Sequence, residues 1–213
     1  KKKNYYTYGV NKKANFQIYN IIQNENFSKF DLKIRIPGRE TRIHNIKIPL
    51  IGLHNIRNAT SAFAASFSIG LNSRTIKNGL LKFKGVQRRF NFLFERNEAI
   101  FFDDYAHHPT EITSVLEGVK KVYNKKEIIC IFQPHRISRV KNLKLEFSKS
   151  FLKSDTVLLC PIYKASENIN LGFSYNSFAR LIIKNSKVKL INIKNEKELQ
   201  KFLCDNQLVP LID

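Results

Sequence analysis

The rhythm of apolar and polar positions changes twice along this 213-residue chain. Within the first fifty residues, stretches 31–36 and 43–48 alternate apolar and polar side chains with period two. That pattern predicts half-buried antiparallel strands, and Pro37-Gly38 supplies the turn between them. Residues 55–70 are rich in Ala and Ser, with Phe63 and Phe67 one helical turn apart, which predicts a helix ended by Gly70. Asn72 or Ser73 caps a second helix, with Ile76, Leu80, Leu81 and Phe83 on its buried side. Lys84-Gly85-Val86 follows as a connector.

From Ala99 onward, continuous apolar runs alternate with amphipathic ones. Strands are predicted over 99–102, 127–132, 156–161 and 188–193, and helices over 111–123, 143–152, 175–183 and 196–203. In 111–123, Ile112, Val115, Leu116, Val119 and Val122 keep the i, i+3, i+4, i+7 spacing. In 143–152, Leu143 or Leu145 points inward with Phe147 and Phe151. Buried strands alternating with amphipathic helices predict an α/β fold, a Rossmann-like, doubly wound, mostly parallel sheet. It is preceded by a region of antiparallel strands and two helices. Two domains are expected, meeting near residues 84–90.

Composition narrows the function classes. Apolar residues make up 43% of the chain and charged ones 25%, which argues against disorder. No run approaches the ~20 apolar residues of a membrane helix, and Lys1-Lys2-Lys3 is followed by no signal-like apolar segment. The 37 Lys and Arg against 17 Asp and Glu leave a net charge of +20. Such a balance can mark nucleic-acid binding, but here the cations are dispersed and no basic stripe interleaves with aromatics. Cys130, Cys160 and Cys204 form neither a C-x-x-C pair nor an even framework, and two of them lie in apolar runs, so core thiols of a cytosolic protein are expected. The chain has no Met, and Val209 to Asp213 reads as the approach to a further strand, so both ends read as cut.

Ligands of an open parallel sheet bind beyond the carboxyl ends of its strands, and the polar clusters of this chain fall there. Strand 99–102 runs into Asp103-Asp104-Tyr105-Ala106-His107-His108-Pro109-Thr110-Glu111. Strand 127–132 runs into Gln133-Pro134-His135-Arg136 with Arg139 beyond, and strand 156–161 into Tyr163 to Glu167. Three adjacent strand ends would make one polar crevice. Two carboxylates with two imidazoles suit Zn or Mn, although neighbouring His107 and His108 do not easily face one ion. A carboxylate just past a strand is as well placed for ribose hydroxyls, while Thr110 and Glu111 fit a helix start. Arg136 and Arg139 form an anion clamp or an ion-paired loop. Arg88-Arg89-Phe90 sits at the domain junction. His54, Asn55 and Asn58 open the Ala-rich helix as caps or as readers of a base edge.

Four segments in order resemble the Mur ligase family: Gly52-Leu53-His54-Asn55-Ile56-Arg57-Asn58-Ala59, Gly85-Val86-Gln87-Arg88-Arg89-Phe90, the Asp103–Glu111 run, and Phe132-Gln133-Pro134-His135-Arg136-Ile137-Ser138-Arg139. The resemblance is most specific to members that add L-alanine to UDP-N-acetylmuramate, with members that recycle a preformed tripeptide as the alternative. It implies an ATP-dependent cytoplasmic bacterial ligase of peptidoglycan synthesis, acting through an acyl phosphate. Residues 1–84 would be the end of its central ATP-binding domain and 85–213 most of its C-terminal domain.

By the same resemblance His54, Asn55, Asn58, Arg89 and Asp104 face ATP. Tyr105, His107, His135, Arg136 and Arg139 face the muramyl substrate and alanine, with His107 and Arg136 nearest the chemistry. Ala106 stands where relatives often carry Gly. The family's G-x-x-G-K-S/T phosphate loop, its UDP-sugar domain and most ligands of its Mg2+ have no counterpart here, so the chain reads as a fragment, inactive alone or else a non-catalytic nucleotide-binding remnant. Closure about 84–90 is expected to assemble the family's site.

Overall fold

A computed structural model describes residues 5–167 and 172–209. The chain divides into two compact units, one carried by residues up to Gly85 and one from Val86 onward, with Lys121–Tyr123 grouping with the first. Residues 210–213, read from the sequence as part of the approach to a further strand, lie outside the described residues.

In the first unit, β1 (Tyr8–Gly9), β2 (Phe16–Gln23), β3 (Ser28–Ile36) and β4 (Arg39–Ile48) form one sheet in chain order. β1 runs parallel to β2 and the other neighbours are antiparallel. Pro37-Gly38 is the two-residue loop of the β3–β4 hairpin, and Gly38 takes φ +72°, a conformation glycine adopts at no steric cost. One face of the sheet buries Phe16, Ile18, Phe30, Leu32, Ile34, Ile46 and Ile48 against helices α1 (Leu53–Ser68) and α2 (Ser73–Lys82).

Both helix ends follow their local chemistry. Gly70, at φ +97°, turns the chain after α1 and donates to the Phe67 carbonyl, while the Asn72 side chain accepts from Thr75 N–H at the start of α2. Ile76 is buried and Leu80 packs beside it. Leu81 and Phe83, expected inside, are instead about half exposed at 48% and 49%. Leu81 is a quarter-turn past Leu80, and Phe83 leaves the helix with extended backbone.

Asp31 marks an irregularity at the middle of this sheet. The pairing register shifts on both sides of it, between Tyr19 and Ile22 on β2 and between Phe30 and Leu32 facing β4. Its buried carboxylate accepts from Asn45 N–H at 2.8 Å and Asn20 Nδ2 at 3.0 Å and meets His44 Nδ1 at 3.1 Å. Asn20 and Asn45 both carry positive φ, so one carboxylate pins two β-bulges.

In the second unit, β5 (Asn91–Arg96) and β6 (Ala99–Asp103) form an antiparallel hairpin. After α3 (Pro109–Val122) come the parallel strands β7 (Ile129–Phe132), β8 (Thr156–Leu159) and β9 (Lys189–Asn192), paired in that order. The core under this sheet joins Ile112 and Leu116 of α3 to Phe132, Val157 and Leu159. Phe147 of α5 (Lys144–Lys149) and Phe178 and Ile182 of α6 (Tyr175–Ser186) complete it. On the opposite face, Leu158, Cys160 and Ile193 pack against Leu199 and Phe202 of α7 (Glu196–Asp205). Helices on both faces of a parallel sheet make this a doubly wound α/β unit, as expected.

Two expectations are corrected. Strand 99–102 does not extend the parallel sheet; it pairs with β5 through the two-residue turn Asn97-Glu98, both at positive φ, a geometry that returns the chain at once to an antiparallel partner. The helix expected over 143–152 is the shorter α5, and a separate, unexpected helix α4 (Ile137–Asn142) precedes it across Leu143, whose ψ of 28° departs from helical. Leu143 packs on the core and Leu145 is exposed.

Candidate functional site

The crevice forms differently from the three neighbouring strand ends that the apolar pattern suggested. β7 and β8 are neighbours, and the loops beyond them are laced together: Arg136 N–H donates to the Tyr163 carbonyl and Tyr163 N–H to the Pro134 carbonyl, each at 2.8 Å. Tyr175 Oη donates to the Leu159 and Cys160 carbonyls, fastening the end of β8 to α6. β6 belongs to another sheet, so its loop reaches this ledge by side-chain contacts instead. The rings of Tyr105, His107, His135 and Tyr163 follow one another with centroids 5.1, 6.4 and 5.1 Å apart, and Arg139 Nη1 lies 3.5 Å from the His107 carbonyl.

Asp104 organises the start of the first loop. One oxygen accepts from Ala106 N–H at 2.6 Å and the other from Phe90 N–H at 2.8 Å. Next to it, Arg88 pairs with Asp103 at 3.4 Å and lies over the Tyr105 ring.

His107 Nδ1 is 2.8 Å from the Tyr105 carbonyl. A carbonyl only accepts, so Nδ1 carries the proton in this bond, and in the neutral ring the lone pair then falls on Nε2. Glu111 Oε2 accepts from the N–H groups of His107 and His108 at 3.1 and 3.2 Å, and Oε1 faces Arg89 at 3.7 Å. Burial alone would raise the Glu111 pKa. The backbone donation from His107, the His107 charge, the His108 donation and Arg89 outweigh it and hold the carboxyl below its ordinary value.

His135 is the counterpart on the second loop. Its Nδ1 is enclosed with no hydrogen-bond partner among the described residues. Burial first, then the charges of Arg139, Arg136 and His107, lower its pKa. The imidazole therefore stays neutral beside two guanidinium groups. Arg136 itself adopts φ +65° at the start of α4, and Glu167 accepts from the Ser138 N–H and hydroxyl just inside that helix. Bonds from the Ser138 hydroxyl and backbone hold the Glu167 carboxyl below its usual range.

Tyr105, His107, His135 and Arg139 are thus drawn together within the second unit, with Arg136 flanking them. Arg89 joins the group through Glu111, and Asp104 shapes the loop. Tyr163, Glu111 and Glu167 complete the arrangement. All three fall within the polar strand-end runs; the parts of Tyr163 and Glu167 were hidden because their partners lie far along the chain, whereas Glu111 bonds mainly within its own loop and only its contact with Arg89 is distant.

In the first unit, His54, Asn55 and Asn58 share the opening turns of α1. Gly52 precedes them at φ +94°, and a Cβ there would lie 2.6 Å from the His54 ring. Asn55 donates back to the Ile51 carbonyl at 2.8 Å, so its amide also ties down the helix start. Among the described residues no group of three or more His, Cys, Asp or Glu could hold a metal ion, and no helix is long and apolar enough to cross a membrane.

Residues 88–203 match the Mur ligase, glutamate ligase domain family. A UDP-N-acetylmuramate–L-alanine ligase of Pelagibacter ubique is 57% identical over 204 residues, covering 95% of this chain and 44% of that protein. One of Protochlamydia amoebophila is 36% identical over 182 residues, covering 85% and 39%. The crystal structure of the UDP-N-acetylmuramate–alanine ligase of Thermotoga maritima superposes with a TM-score of 0.69 at 26% identity, covering 92% of this chain and 41% of that one. The chain therefore spans less than half the length of these relatives. A family match over more than half its residues, carried on the two motif loops that meet at His107 and Arg139, makes this chain a member of the Mur ligase family.

Proposed function

We propose that this chain is part of a cytoplasmic, ATP-dependent bacterial ligase that joins L-alanine to the lactyl carboxylate of UDP-N-acetylmuramate in peptidoglycan precursor synthesis. The carrying observation is the meeting of two loops, one carrying His135, Arg136 and Arg139 and the other His107: Arg139 Nη1 lies 3.5 Å from the His107 carbonyl, and the His107 and His135 rings stand 6.4 Å apart. An incoming amino acid must offer a carboxylate to cations while its amine stays unprotonated. Guanidinium groups clamp the carboxylate bidentately and aim the amine, which lowers the entropic barrier to attack. His107 Nε2, with its lone pair, is suited to accept a proton from that amine. Tyr105 supplies a hydroxyl and ring face for the larger substrate. The names carried by the Pelagibacter and Protochlamydia relatives support the choice of alanine.

ATP, when bound, supplies the phosphoryl group that activates the lactyl carboxylate. His54, Asn55 and Asn58 fit the adenine side, as exposed or half-exposed amides and an imidazole at one helix start. Arg89 and Asp104 fit the nucleotide's phosphate and ribose as a guanidinium and a carboxylate. The described residues offer Mg2+ no cluster of ligands, so no residue here is assigned to it. Residues 1–84 are read as the C-terminal part of the central ATP-binding domain and 85–213 as the C-terminal domain.

The test is phosphate release by the ligase encoded by the complete reading frame, given ATP and UDP-N-acetylmuramate with either L-alanine or a tripeptide. Release dependent on alanine is expected. Dependence on tripeptide alone would make it a recycling ligase, and salt-sensitive DNA binding without either activity would favour the nucleic-acid reading.

A further inference from the structure

Glu111 is the third residue of α3, after Pro109 at the first helical position. In that place a glutamate commonly accepts the N–H of the capping residue, here His108, and does no more. This side chain does more. The same Oε2 takes the His107 N–H at 3.1 Å and stands 3.6 Å from His107 Nδ1, while Oε1 pairs with Arg89 at 3.7 Å. Its carboxylate is about one-third exposed and ionised, its pKa held down by these donors.

We infer that Glu111 is a positioning residue that holds the nucleotide-side Arg89 and the substrate-side His107 on one carboxylate. This rests on the roles proposed above for those two residues. Two anchors on one rigid helix end fix their separation. The backbone bonds set the loop from which the His107 ring projects and so hold Nδ1 on the Tyr105 carbonyl, the arrangement that leaves Nε2 free. The charge on Oε1 holds a guanidinium that would otherwise sample solvent. A plain helix cap would need neither the second N–H nor the arginine.

The two functions separate by substitution, because an amide oxygen can still accept both N–H groups but carries no charge for Arg89. In the complete ligase, Glu111→Gln is expected to raise the KM for ATP about two- to fivefold, the scale of one partly exposed ion pair, with the KM for alanine within about twofold. Glu111→Ala is expected to raise both and to lower kcat about tenfold or more, because two N–H groups lose their acceptor. A Glu111→Gln enzyme with both KM values unchanged, or with both raised equally, overturns the inference.

Nitrogen NMR of the His107 ring in the present chain gives a readout independent of activity. The Nδ1–H tautomer should persist in Glu111→Gln and become mixed in Glu111→Ala; an unaltered tautomer in Glu111→Ala overturns the role at His107. If the unsubstituted ligase releases no alanine-dependent phosphate, the proposed function fails, and the NMR series still decides whether Glu111 holds His107.

Discussion

Arg139 directs Nη1 at the main-chain carbonyl of His107, 3.5 Å away, and so links the loop after β7 to the loop after β6. The two loops hang from different sheets, so their spacing depends on side chains such as this one. Among the described residues this guanidinium spends one of its five donors on the protein, which leaves others for an anion.

Loss of that guanidinium should therefore be felt by the amino-acid substrate. In the complete ligase, Arg139→Ala should raise the alanine KM roughly ten- to hundredfold, the scale of charged hydrogen bonds worth ~1.5–3 kcal/mol. Arg139→Lys should recover only part, because an ammonium cannot form the planar fork. Arg136→Ala should act in the same direction. Alanine kinetics unchanged in all three variants would refute the clamp.

His135 gives the second unit a pH dependence of definite sign. Its folded pKa lies below the ordinary 6.5, so the folded state binds fewer protons there than the unfolded chain. Its contribution to stability is full above about pH 6.5 and is lost as pH falls through the lowered folded pKa. Glu111, depressed from 4.5, follows the same sign in a more acidic window. Urea midpoints at pH 7 and pH 5 should fall further for the native chain than for His135→Gln; parallel falls would remove His135 as the cause.

Gly52→Ala tests the start of α1. With φ at +94° and a Cβ position 2.6 Å from the His54 ring, the substitution must strain the backbone or displace the imidazole. A loss of about 1–3 kcal/mol is expected, with a shifted His54 ring resonance. Native stability together with an unmoved His54 signal would contradict this geometry.

Asp31→Ala should destabilise the first unit by about 1–3 kcal/mol, since Asn45 N–H and the Asn20 amide lose a buried acceptor. Asp31→Asn should cost less. Because hydrogen bonds from Asn45, Asn20 and His44 overcome burial and lower the Asp31 pKa from 3.8, its share of stability is present above that value and is lost on further acidification. The chain lacks Trp, so circular dichroism in urea is the suitable readout.

Features governed by near neighbours were legible from the chain alone. Gly70 ending α1, Asn72 capping α2 and the Pro37-Gly38 hairpin each depend on a few adjacent residues. The strands β7, β8 and β9 announced themselves as short apolar runs, and β8 is buried along its whole length. β5 did not, because Phe92, Leu93 and Phe94 are a run of exposed apolar residues at 60%, 53% and 42% rather than an alternating one, and its turn, Asn97-Glu98, contains no Gly. The strand-end rule found the residues of the ledge but misjudged how β6 reaches it. Which partners hold them, Tyr163 on His135 and Glu167 on Ser138 across 28 and 29 positions, is a property of tertiary closeness that no local pattern carries.

The carboxylate of Asp31 also has a bearing on how the first sheet is selected. Strands that alternate Ile with Lys or Arg, as β3 and β4 do, can pair in several alignments that differ by two residues and bury similar apolar area. The observed alignment brings an asparagine to each side of Asp31, and a slipped pairing that moved them away would leave this buried carboxylate short of donors. One acidic residue at the centre of an otherwise repetitive sheet thus works as a key, accepting a single alignment of both neighbours and ejecting the rest before they can be sealed.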